Sequence, residues 1–226
     1  MRIADRPSGI FITATDTAVG KTVAAVAMLR GLVAAGRRAV GMKPVSAGVA
    51  SGFDVNDDVL ALAAAGNVEA PLGDRNPFSL RDAAAPHLVA RTDGVSIDID
   101  VIDAAYRRLL ARADVVVVEG AGGTLVPIDD RRDMLDIASK LAVPVILVVG
   151  IRLGCLNHAR LSVLAIRARG LVLGGWIASR IDPAMSYADE NVAWLARELP
   201  APCIADFKTS LPPPLSREAL DKLGLP

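Results

Sequence analysis

The sequence predicts an α/β fold, a doubly wound, mainly parallel sheet flanked by helices. Three observations point there. Short β-rich runs alternate with longer helical ones, the pattern of βαβ units joined by right-handed crossovers. The runs "DVVVVEG" (114–120) and "PVILVVG" (144–150) are almost unbrokenly apolar, as strands buried on both faces are. The chemically interesting residues stand at the ends of such strands, and open α/β sheets bind their ligands at the carboxyl edge.

Strands are expected at 9–13, 39–43, 115–119, 143–150 and 174–179. Helices are expected at 21–35, 57–65, 99–113, 134–141, 158–169 and 187–199, from apolar spacing and good helix formers. The stretch "LPPPLS" (211–216) reads as a stiff connector to a last short helix, and no internal repeat is visible.

Size and composition narrow the function. The 226 residues suit one domain, 1–226. Hydrophobic residues make up 52% and aromatics 4%, which favours small-residue packing of helices on a sheet over an aromatic binding surface. Lys plus Arg equal Asp plus Glu at 25 each, so no long-range field selects nucleic acid or an anionic membrane as a partner. The start "MRIADRPSGIFI" lacks the apolar core of a secretory signal. No apolar run approaches the roughly 20 residues of a membrane helix. Cys155 and Cys203 are too few for a disulfide framework or a zinc site. The expectation is a soluble, cytoplasmic protein.

The stretch "ITATDTAVGKTVAA" (12–25) joins the first strand to the first helix. It ends as the phosphate-loop pattern G-x-x-x-x-G-K-[ST] should, at Gly20, Lys21 and Thr22, but Thr15 stands where the first glycine belongs. Strand, loop and helix in this order turn the pattern into a mechanism. Amides at the helix start face phosphates, Lys21 reaches the β- and γ-phosphates, and the Thr22 hydroxyl meets Mg²⁺. Only five of the 25 basic residues are lysines (21, 43, 140, 208 and 222), so a lysine in this loop carries some weight of its own.

"GMKPVSAG" puts Lys43 at the end of the second strand, with Pro44 closing the ladder. Two ammonium groups at one sheet edge suit charge building on a transferring phosphoryl group. Lysine also ends strands at solvent for no chemical reason. Downstream, "DVNDDVLAL" opens a helix with Asp54, Asp57 and Asp58. Acids there are ordinary first-turn residues, or one of them is a metal ligand beside Thr22. "DVVVVEGAGG" ends a buried strand in Glu119, followed by Gly120, Ala121, Gly122 and Gly123. A carboxylate at such a tip completes the Mg²⁺ shell of phosphate-loop enzymes, and glycines allow close backbone approach.

Together these motifs resemble the dethiobiotin synthetase family of the biotin pathway, within the P-loop NTPase superfamily. The match rests on "TDTAVGKT" (15–22), "KPV" (43–45), "NDDVLAL" (56–62), "PHL" (86–88), "VEGAGG" (118–123) and, most specifically, "LGCLNHA" (153–159). The resemblance implies an ATP-dependent ligase that joins CO₂ to 7,8-diaminononanoate and closes a ureido ring. It implies ATP as co-substrate and Mg²⁺ held by Thr22, Asp58 and Glu119. Nucleotide contacts would come from Ala18, Val19, Gly20, Lys21, Thr22, Val23, Asp58, Glu119, Gly120, Ala121 and Gly122. Lys43, Lys21 and Thr17 would be catalytic, with Thr17 and Lys43 also touching the diamine or its carbamate. Gly154, Cys155, Leu156 and Asn157 would bind the substrate's tail carboxylate from the other subunit of a homodimer. Asn157 itself reads as a good N-cap.

The chain departs from the family in places. The family's leading loop glycine, six places before Gly20, is Ala14 here. "KPVSAG" has Ala47 where the family usually carries a small hydroxyl residue, with Ser46 one place early. Ser179, Arg180, Asp206 and Phe207 do not reproduce the family's adenine-contacting pattern. Two other classes remain as alternatives. A partitioning or assembly ATPase of the deviant-Walker type carries a second lysine five places before Lys21, where this chain has Asp16. A cobyrinate-type amidoligase normally carries a glutaminase domain, for which this length leaves no room.

Overall fold

The computed structural model describes residues 8–49 and 55–224. Asp54 and the first seven residues therefore lie outside the described residues. The strands are β1 (Ser8–Ala14), β2 (Ala39–Met42), β3 (Val45–Ala47), β4 (Phe78–Leu80), β5 (Val115–Glu119), β6 (Val145–Gly150), β7 (Leu173–Ser179) and β8 (Cys203–Phe207). The helices are α1 (Lys21–Ala34), α2 (Asp57–Ala65), α3 (Leu72–Arg75), α4 (Pro86–Thr92), α5 (Ile99–Leu110), α6 (Met134–Leu141), α7 (Cys155–Ala168), α8 (Ala188–Glu198) and α9 (Arg217–Asp221).

Six strands form the main sheet in the order β2-β5-β1-β6-β7-β8, and each neighbouring pair is parallel. The expected doubly wound fold is present. From β1 the chain moves out to the β2 edge, returns through β5, then crosses β1 to build β6, β7 and β8 on the other side. The winding reverses beside β1, so the loops at the carboxyl ends of β1 and β5 open into one crevice. A separate two-stranded sheet, β3 with β4, stands next to it.

The unbroken valines of β5 follow from this layering. Val115 and Val117, with Ile10, Ile12 and Ala14, face α1, α2 and α9; Val116, Val118 and Phe11 face α5 and α6. A third cluster packs α7 and α8 on Leu147, Val149 and Trp176. Leu109 of α5 is fully buried in the first of these layers. Leu109→Ala is expected to cost about 2–5 kcal/mol through lost burial and a residual cavity. The measurement is the urea midpoint, and an unchanged midpoint would contradict the packing described.

The first turn of α7 corrects one expectation. The helix begins at Cys155 rather than 158, its N-cap is Gly154 with φ 95°, and Asn157 is an exposed residue inside the first turn rather than the cap. The buried stripe decides the start: Cys155, Ala159, Val163 and Ile166 repeat at helical spacing. A left-handed glycine lets the chain turn so that Cys155 enters the core.

Candidate active site

The register of the central strands brings the first group together. Met42 pairs with Val118, so the next residues, Lys43 and Glu119, leave the sheet side by side. Ile12 pairs with Glu119, which sets the phosphate loop against the same carboxylate. Asn56 caps α2 by accepting from the Asp58 amide at 2.9 Å, and its own amide reaches the Gly48 carbonyl. That cap fixes Asp58 against the group.

The contacts are short and mutual. The Thr22 hydroxyl lies 2.7 Å from Asp58 Oδ1 and 2.8 Å from Glu119 Oε1. The Lys43 ammonium donates to Asp58 Oδ2 at 2.8 Å, to Glu119 Oε1 at 2.5 Å and to the Gly120 carbonyl at 3.3 Å. Lys43 is 4% exposed and Glu119 is 0% exposed. Lys21 donates to the Asp16 carbonyl at 3.3 Å.

These groups line a cavity of about 680 Å³ with Thr17, Ala18, Gly20, Val23 and Gly122. Its other wall is apolar, made by Ala47, Ala83, Ala84, Ala85, Pro86 and Val126. Ala121 also lines it, and Gly120 takes part through its carbonyl. The Val19 side chain is buried, packed toward Gly150, so only its backbone is placed to serve a ligand. Ser46 is fully buried and donates to Asn76 Oδ1, while Ala47 lines the cavity, so the position one residue early does not supply the missing hydroxyl. Gly154, Cys155, Leu156 and Asn157 do not line this cavity.

Burial sets the electrostatics. Burial, then the nearby Lys43 charge, lowers the Lys21 pKa to about 8. Burial works against a charged Lys43 too, but Glu119 and Asp58 outweigh it and hold the amine above its ordinary value. Full burial pushes the Glu119 carboxyl upward, more than Lys43 draws it down. Asp58 is shifted downward, because Lys43 and Thr22 outweigh its partial burial.

The donor set fits Mg²⁺. One hydroxyl and two carboxylates converge as hard oxygens, and Glu119 Oε2 is buried without a hydrogen-bond partner. A buried carboxylate oxygen left unpaired beside a hydroxyl and a second carboxylate is a place a cation could fill.

The loop geometry explains the missing first glycine. Its left-handed residues are Ala18 (φ 57°) and Gly20 (φ 93°). Thr15 is not among them, and its hydroxyl instead accepts the Gly150 amide at 3.2 Å. No glycine is needed there.

A family model described as an AAA domain (AAA_26) matches residues 8–210. The chain belongs to the AAA_26 family. Solved structures with the same fold include the MinC:MinD cell division protein complex of Aquifex aeolicus, with a TM-score of 0.54 at 14% identity, covering 96% of this chain and 84% of that one. Chloroplast FtsY from Physcomitrella patens gives a TM-score of 0.56 at 16% identity over 96% of this chain and 65% of that chain. The signal recognition particle receptor FtsY of Elizabethkingia anophelis, in complex with GDP, gives 0.54 at 14% identity over 99% and 65%. The AAA_26 chain thus spans about two-thirds of the length of the FtsY chains. At these identities the likeness concerns the fold, and family and fold together support a nucleotide-binding phosphate-loop protein. Among the described residues of this AAA_26 chain, no helix is long and apolar enough to cross a membrane.

Proposed function

We propose that this AAA_26 chain is an ATP-dependent dethiobiotin synthetase, carboxylating 7,8-diaminononanoate with CO₂ and closing its ureido ring. The observation that carries the proposal is the meeting of Lys21, Lys43, Thr22, Asp58 and Glu119 in one cavity with an apolar opposite wall. The AAA_26 family includes dethiobiotin synthetase, and "LGCLNHA" at the start of α7 supports the same choice.

The chemistry needs what this cavity offers. One amine of the substrate adds to CO₂ and loses a proton, giving a carbamate. A carbamate oxygen attacks the γ-phosphorus, the bond to the β-phosphate oxygen breaks, and ADP leaves. The second amine attacks the carbamoyl carbon, phosphate departs, and the ring closes with release of a proton. The carbamate is a weak nucleophile and must be held against the γ-phosphoryl group. Lys21 and the amides of residues 18–23 hold the phosphates, while Lys43 and Thr17 meet the carbamate. Two ammonium groups offset the crowded negative charge. Mg²⁺, held by Thr22, Asp58 and Glu119, would neutralise the β- and γ-phosphates. The apolar side chains of Ala83–Pro86 offer no hydrogen-bond partner to a water that would hydrolyse the carbamic–phosphoric anhydride.

A homodimer completes the site on this reading. The Gly154–Asn157 segment stands outside its own chain's cavity. Leu161 and Leu164, on the outer side of α7, are 56% and 61% exposed. The backbone amides of Leu156 and Asn157, at the start of a 14-residue helix, have no acceptor among the described residues. A second copy presenting those amides across a two-fold axis binds the tail carboxylate.

The test is an assay with Mg-ATP, diaminononanoate and isotopically labelled bicarbonate. The expected result is ADP that appears only with the diamine and label in the ureido carbonyl. ADP formed at the same rate without diamine would overturn the proposal. A nucleotide-switched assembly ATPase would behave that way, but its class carries a lysine where this chain has Asp16.

A further inference from the structure

Asp16 is the residue of the phosphate loop that the proposed reaction leaves without a task, and its side chain does not line the cavity. It is nevertheless the most connected residue of the loop's outer side. Its Oδ1 accepts the Thr17 amide at 2.7 Å, its Oδ2 accepts from Arg152 Nη2 at 2.5 Å, and its carbonyl accepts the Lys21 ammonium at 3.3 Å. Arg152 leaves the end of β6 and immediately precedes Leu153 and Gly154. Leu153 is 91% exposed.

The exit of β6 is bound to the loop at further points. The Thr15 amide donates to the Val148 carbonyl at 2.9 Å, and the Gly150 amide donates to the Thr15 hydroxyl. The Ile151 amide donates to the Ser179 carbonyl at 2.7 Å. Among the described residues the backbone bonds to the loop stop at Gly150, since the Ile151 bond goes to β7. Beyond it, the Arg152 side chain is the link between the Gly154–Asn157 turn and the loop that holds Lys21. Both members of the Arg152–Asp16 pair are close to half exposed, and exposed pairs add little to stability. The pair is better explained by where it sits than by what it contributes to folding.

We infer that Asp16 and Arg152 are positioning residues that couple nucleotide binding in one subunit to binding of the substrate's tail at the turn this subunit lends to its partner. The inference rests on the ligase proposed above. When phosphates draw Lys21 away from the Asp16 carbonyl, the Asp16–Thr17 turn shifts, and the guanidinium carries that shift to Gly154. Because such coupling is reciprocal, occupation of the turn by a carboxylate also tightens the phosphate loop.

The test measures diaminononanoate affinity by calorimetry, with and without a non-hydrolysable ATP analogue and Mg²⁺. The wild-type protein is expected to bind the diamine about fivefold or more tightly when the analogue is present, the lower end of ordinary coupling. Arg152→Gln and Asp16→Asn, which keeps the Thr17 amide bond, are each expected to bring that factor below about twofold, and the double variant to lose nothing further. Arg152→Lys keeps a cation opposite Asp16 and is expected to keep most of the factor. A wild-type factor in Arg152→Gln, or equal loss in Arg152→Lys, overturns the coupling while leaving the ligase standing. Absence of diamine binding by the wild-type protein overturns the ligase and the coupling with it.

Discussion

On the proposed ligase reaction, replacing Lys43 by alanine is expected to leave a folded protein whose diamine-dependent turnover falls by roughly 10²–10³-fold, the usual cost of removing one preorganised group that stabilises transition-state charge. Lys43 is nearly inaccessible and donates to Asp58, Glu119 and the Gly120 carbonyl together. Lys21 does not take over that position, since on the proposed reading it is committed to the phosphates once nucleotide is bound. Removing one partner of a buried ion pair costs about 3–5 kcal/mol when the other stays charged. Glu119 avoids most of that cost by taking up a proton, because burial already pushes its pKa upward. A raised folded-state value means that the variant loses stability as pH rises through it. Steady-state ADP release measures the turnover, and circular dichroism separates lost chemistry from lost folding. Wild-type turnover in a folded variant would remove Lys43 from the mechanism.

Gly20→Ala is expected to weaken nucleotide binding by about ten- to a hundredfold without unfolding the chain. Gly20 is the N-cap of α1 at φ 93°, and a Cβ built there falls 2.8 Å from the Ser179 hydroxyl oxygen. Left-handed backbone at a residue with a Cβ costs about 1–3 kcal/mol in all. A free loop that relaxes this strain must take it up again on binding, and each 1.4 kcal/mol so required is about tenfold in affinity. The two contributions can be separated. Ser179→Ala removes the obstructing hydroxyl, so the double variant is expected to recover part of the affinity and leave the backbone cost. Titration with a fluorescent nucleotide measures both. Full affinity in Gly20→Ala would show that the helix start does not hold the phosphates.

The sheet's centre was readable from residue type because β5 and β6 carry valine and isoleucine on both faces, which few other environments demand. The site's polar cluster was readable for a related reason: Lys43 and Glu119 end such strands, and strand ends in this topology face one crevice. Short elements carried no such signal. β3 and β4 have three residues each, too few for an alternation to emerge. β8, "CIADF", is an edge strand with only Ile204 and Phe207 buried, so its composition resembles a loop. Asn157 has the composition of a cap, but the spacing of buried residues set the helix start at Gly154. The fate of Ser46 depends on Asn76, thirty places away, and no local pattern announces that partner. The link between Asp16 and Arg152 spans 136 places, and local sequence announces it no better.

The uniformity of β5 has a consequence for how the chain assembles. Slid by one place along β2, β5 would put a valine where another valine stood at three of its four valine positions, on both faces, so apolar matching alone barely distinguishes the two alignments. The ends of the strand do distinguish them. At one end Asp114 takes the Arg38 guanidinium and amide, and at the other Glu119 meets Lys43. The pair proposed to do chemistry is therefore also a latch that indexes the strand. A misaligned copy would not persist as a folded but inert enzyme, because the same error that parted the reactive groups would bury a carboxylate with no counter-ion.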